Sequence, residues 1–144
     1  GNIGGNNFAF MIPDKDIIFH RISKLNFFGK NYSLKDKTIF QAEITFRKND
    51  NIDKLTIKDL KKKIKDGLMK IKFAKKNKDI TDIKVKKFKY AYVIYDLNHR
   101  KNVDNILKFF KHKGVDFLGR WGSWEYMNSD QVIYQSMKFS KNFK

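Results

Sequence analysis

The sequence predicts an α+β fold, a mixed sheet accompanied by about three helices. Three observations predict it. Apolar residues alternate singly in "TIFQAEITF" (38–46), the period of a half-buried strand. They recur at three and four in "TIKDLKKKIKDGLMKI" (56–71), the period of an amphipathic helix. The two periods then take turns along the chain: strands, helix, strand, helix, strand, helix. At 144 residues and 17.2 kDa the chain has the length of one domain, opened at 1–7 by a flexible leader or the cut end of a longer chain.

Each element has its own reason. "FAFMI" and "DIIFHRI" read as two strands about the turn "PDKD", where Pro13 and two aspartates favour a reversal. In the next strand Phe40, Ala42, Ile44 and Phe46 share one face. The helix that follows carries Ile57, Leu60, Ile64, Leu68 and Ile71 as its stripe, and Thr56 with Asp59 resembles a capping box. Gly67 within it weakens helix propensity by about 1 kcal/mol relative to alanine. "DIKVKKFKYAYVIYD" (82–96) returns to strand character. "NVDNILKFFKHKG" reads as a helix stopped by Gly114. "VDFLGRW" reads as a short strand, and "SDQVIYQSM" as a last helix capped by Asn128 or Ser129.

The net charge of +17 comes from 28 lysines and only 4 arginines against 15 acids. Such a charge attracts polyanions. The same Lys-, Asn-, Ile- and Phe-rich usage also follows from A/T-rich coding, and base-reading surfaces favour the planar fork of arginine. Nucleic acid is therefore expected as a non-specific partner only. The absence of cysteine excludes disulfides and thiolate metal sites and favours an intracellular, cytoplasmic location. No apolar run approaches the roughly 18 residues of a membrane-spanning helix.

Catalytic patterns are missing. His20, His99 and His112 lack metal-ligand spacing, and no nucleophile elbow, phosphate-binding loop or H-E-x-x-H occurs. One stretch stands apart: "FLGRWGSWEYMNSDQ" (117–131) holds both tryptophans, two of the eight glycines and one of the four arginines. A strand running into glycines, then aromatic walls, then a helix N-terminus is an arrangement suited to a nucleotide-type cofactor.

"GRWGSWEYMNSDQVI" closely resembles the C-terminal flavin-binding signature of FAD-dependent amine-oxidase-like proteins, the group that includes UDP-galactopyranose mutases and protoporphyrinogen-oxidase-like enzymes. "FMIPDKDIIFHRIS" with "NFF", "KTIFQAEITF" and "KYAYVIYD" fall in the order of that family, so the resemblance spans roughly residues 8–137. It implies part of a substrate-binding domain over 8–114 plus the last strand and helix of the FAD-binding domain over 115–144. Gly119, Arg120, Trp121 and Gly122 would face the flavin and its ribityl chain, with Trp124 and Tyr126 as walls. Asp130, Gln131 and Val132 would lie by the ribityl-pyrophosphate region, and Arg21 on the side of a small-molecule substrate.

In the family an N-terminal Rossmann unit with G-x-G-x-x-G holds the adenosine diphosphate. That unit is missing here, so the resemblance implies an oxidoreductase fragment that is inactive alone and needs the N-terminal FAD-binding segment as partner. Glu125 stands where the mutases usually carry a basic residue. An acid there is unfavourable beside a diphosphate sugar, which favours an oxidoreductase over a mutase. The alternative is a small basic binding protein that docks nucleic acid or an acidic partner through lysine-covered helices.

Overall fold

The first alternating segments pair as an antiparallel sheet, β1 (Ala9–Met11), β2 (Arg21–Lys24) and β3 (Phe40–Glu43), in that spatial order. The computed structural model describes residues 3–32 and 35–142. Register puts Phe10, Ile22 and Ala42 opposite one another, so one apolar row crosses all three strands. Ile22 and Phe19 are fully buried there. The α+β class holds, but the sheet is antiparallel throughout rather than mixed. No crossover connects its strands, and short returns favour antiparallel pairing.

Helix α1 (Ile57–Lys70) covers this row. The capping box forms: Thr56 Oγ1 accepts from the Asp59 N–H at 3.1 Å, and Asp59 returns the bond to the Thr56 N–H. Lys72, at φ 60°, turns the chain out of the helix, with the Phe73 N–H on the Leu68 carbonyl at 2.9 Å. Gly67 has a packing reason that propensity does not reveal. A Cβ there would sit 2.7 Å from Phe19 Cε1 and 3.1 Å from Ile17 Cγ2. Gly67→Ala therefore sets a propensity gain of about 1 kcal/mol against an overpacking cost of about 1–3 kcal/mol. The buried ring cannot step aside, so a net loss is expected, read as a lower urea midpoint; a raised midpoint would mean the ring yields.

The chain divides into two compact units, with the break between Lys86 and Lys87. Within residues 3–7 the Asn7 N–H donates to the Gly4 carbonyl, and Lys24 Nζ donates to the Gly5 carbonyl at 2.8 Å. Gly1 and Asn2 lie outside the described residues. Two further expectations are corrected. Segment 82–96 forms no strand, and only Val93 within it is buried. Segment 115–121 is not a strand either, because Gly119 begins a short helix.

The second unit contains α2 (His99–Lys111), α3 (Gly119–Gly122) and α4 (Ser129–Asn142). Gly114 stops α2 as expected, at φ 77°, with the Val115 N–H on the Phe110 carbonyl. On α4 the Asn128 N–H donates to Gln131 Oε1 at 2.8 Å, which makes Asn128 the cap.

Candidate functional site

Seven of the ten candidate residues meet around α3. The glycines come first. Gly119 has φ 77°, a conformation that L side chains rarely adopt. Its N–H donates to Gln135 Oε1 at 2.9 Å, and a Cβ on it would point at Val132 Cγ1, 3.4 Å away. A Cβ on Gly122 would meet Phe117. Both glycines thus serve the packing of the turn, and the space beside them is filled by the chain rather than left for a ligand.

The helix ends in a Schellman turn. The Glu125 N–H bonds to the Arg120 carbonyl at 3.0 Å and the Trp124 N–H to the Trp121 carbonyl, while Trp124 takes the left-handed position at φ 47°. Glycine usually stands there; an indole costs about 1 kcal/mol or more of strain. Three residues of the 95–100 segment hold it in place. His99, buried, sets Nε2 on the Trp124 carbonyl at 2.9 Å, so that nitrogen carries the proton. Tyr95 Oη accepts from the Tyr126 N–H at 2.6 Å and donates to Glu125 Oε1. Arg100 donates to Glu125 Oε2.

Inside this frame Arg120 is enclosed by rings. Its guanidinium carbon lies 4.2 Å from the Tyr126 centroid, 5.3 Å from Tyr92 and 5.8 Å from Trp121. Its Nε is buried, with no hydrogen-bond partner among the described residues. Trp121 (47% exposed) and Tyr126 (51%) keep much of their surface open. Trp121 and Trp124 are 5.6 Å apart.

No known family, curated protein or solved structure matches the chain.

The remaining candidates are placed differently. Asp130 is exposed in the first turn of α4, where an acid suits the helix dipole but opposes a phosphate. The Gln131 oxygen is engaged by the cap. Arg21 belongs to the other unit, where its Nε and Nη2 both donate to Glu43 Oε1, at 3.0 and 2.5 Å. A groove of about 560 Å³ in that unit, lined by Lys15, Leu55, Lys63 and Lys70, contains none of the candidates. Among the described residues no acidic, histidine or cysteine group could hold a metal ion.

Sequence reasoning missed Tyr92, Tyr95, His99 and Arg100 as partners of the turn. The one available signal was Glu125, an acid where the resemblance leads one to expect a base, which here answers Arg100. That hydrogen bond, aided by the positive charge and by Tyr95, holds the Glu125 carboxyl below the ordinary glutamate range and raises Arg100. A depressed carboxylate contributes stability above its unfolded value, about 4.3, that is lost as pH falls through the lower folded value. Acid is therefore expected to loosen the turn from about pH 4.3 downward, and Glu125→Gln to remove that part of the acid limb. Acid melts of the two proteins check this; superimposable curves would refute it.

Proposed function

We propose that the 87–144 unit is one wall of a flavin site, in the C-terminal portion of an FAD-dependent oxidoreductase of the amine-oxidase-like group. Arg120 carries the reading. A buried donor without an acceptor costs about 1–3 kcal/mol, and here it lies between Tyr126 and Tyr92, beside an open indole. A planar heteroaromatic ligand stacked on Trp121 and Tyr126 would bring carbonyl or phosphate oxygens beside the guanidinium, and Nε would gain its acceptor once a covering ring shifts. The residues fit such a group in part: the ring-lined guanidinium suits it, while the glycines shape the turn and Asp130 disfavours a phosphate at α4. In this reading Arg120 and Trp121 bind, and Tyr92 orients the guanidinium. The flavin brings the redox chemistry when bound.

Without a G-x-G-x-x-G turn in this sequence, tight retention is not expected, and the purified chain should be colourless. Added FAD should still show weak, saturable fluorescence quenching by the chain, diminished at least severalfold in Arg120→Leu and in Trp121→Leu. Unsaturable quenching, or equal quenching by both variants, would count against the reading. The alternative, a small basic binding protein, draws on the exposed lysines 58, 62 and 63 of α1. It predicts polyanion binding that Arg120→Leu leaves alone.

A further inference from the structure

Four aromatic rings gather beside the loop that joins β2 to β3. Phe8 lies 5.3 Å from Phe27 and 5.0 Å from Phe28, and Phe28 lies 6.2 Å from Tyr32, between ring centroids. Two 3-10 turns, Leu25–Phe28 and Lys30–Tyr32, shape the loop, with Gly29 between them at φ 126°. Asn26 fastens the loop to its return: its Oδ1 accepts from the Ile39 N–H at 2.7 Å. The core around Phe19 and Ile22 includes none of the four rings. Phe27 and Phe28, adjacent in sequence, are each 61% exposed. Lys35 and Lys37 follow on the return segment.

We propose that this aromatic knob is a docking surface for an anionic lipid bilayer. Phe27 and Phe28 enter the boundary of the acyl chains, Tyr32 keeps its hydroxyl among the headgroups, and the lysines answer their charge. Charge selects this occupant. Two copies of a chain carrying +17 repel each other, which disfavours self-association through the knob, while an anionic surface attracts it. Ring geometry disfavours single-stranded nucleic acid. Phe28 makes edge contacts with Phe8, Phe27 and Tyr32, so the rings form a closed knob rather than separate open faces on which bases stack. Contact of this kind needs no spanning helix, and none of the described helices is long and apolar enough to be one.

The test is flotation of the whole 144-residue chain with vesicles of phosphatidylcholine, with and without about one-third phosphatidylserine. Binding to the anionic vesicles is expected, and Phe27→Ser with Phe28→Ser should weaken it about tenfold or more at unchanged net charge. Affinity for a single-stranded oligonucleotide should stay the same in that variant. If the double variant melts lower than the parent, Phe27→Ala alone carries the test, with a smaller loss in the same direction. Three results would overturn the proposal: vesicle binding unaffected by the phenylalanine changes, which is charge alone; an equal loss of oligonucleotide binding, which is a nucleic-acid site; or a dimer in sedimentation that the changes dissolve, which is self-association.

Discussion

Phe19→Ala is expected to destabilise the sheet unit by about 3–5 kcal/mol, the range for a buried phenylalanine cut to alanine. The ring is 0% exposed and fills the space that Gly67 leaves on the inner face of α1. Nothing else can fill it, because the residue facing it across the interface has no side chain. Small domains are stable by about 5–15 kcal/mol in total, so the variant should sit near its unfolding threshold. Urea unfolding followed by far-ultraviolet circular dichroism measures the loss as a shift of midpoint at constant slope. A loss under about 1 kcal/mol would mean that α1 is not seated on that ring. The two positions should also couple. Phe19→Leu combined with Gly67→Ala is expected to cost less than the sum of the single changes, since a shorter side chain makes room for the new methyl.

His99→Leu is expected to have the next largest effect, about 1–3 kcal/mol, because it leaves the Trp124 carbonyl without its donor. The consequence falls on the turn more than on α2. Trp124 stays in its left-handed conformation only while its neighbours hold it, and His99 also packs on Tyr95 at 4.3 Å, the residue that receives the Tyr126 N–H. Faster amide exchange at Glu125 and Tyr126 should accompany the lower melting temperature. His99→Gln, which can still donate, should restore part of the loss. His112→Leu, at the exposed end of α2, should change little. Equal effects at the two histidines would dismiss the holding role.

Much of the fold was legible because it is local. Phe40 and Ala42 alternate with Gln41 since one face of β3 packs on the Phe19 and Ile22 core, and Ile44 joins them just past the strand. Thr56 and Asp59 announce α1 through a bond that spans three residues, and Gly114 stops α2 through its own φ. The errors have tertiary causes. "KYAYVIYD" has the aromatic and β-branched content of a strand, yet its tyrosines act as ring partners: Tyr90 to Trp124 at 6.3 Å, Tyr92 to Arg120, Tyr95 to His99. Composition alone does not separate a residue that packs in a ladder from one that packs on a turn. The candidate site was legible as a cluster of rare residues, but their division of labour was not. Whether a glycine opens space for a ligand or lets Val132 approach depends on the direction of an absent Cβ, which no spacing encodes.

The left-handed backbone of Trp124 has an optical consequence. It brings the second indole back toward the first, so the chain's two tryptophans form one pair, 5.6 Å apart and tilted by 54°. Chromophores that close share their excitation, and their tilt gives the shared transitions opposite rotational strengths. A couplet is therefore expected in the intense far-ultraviolet indole band of the circular dichroism, and Trp121→Phe should remove it. The chain has no other indole, so the part of the spectrum that the Trp121 change removes belongs to the geometry of this one turn.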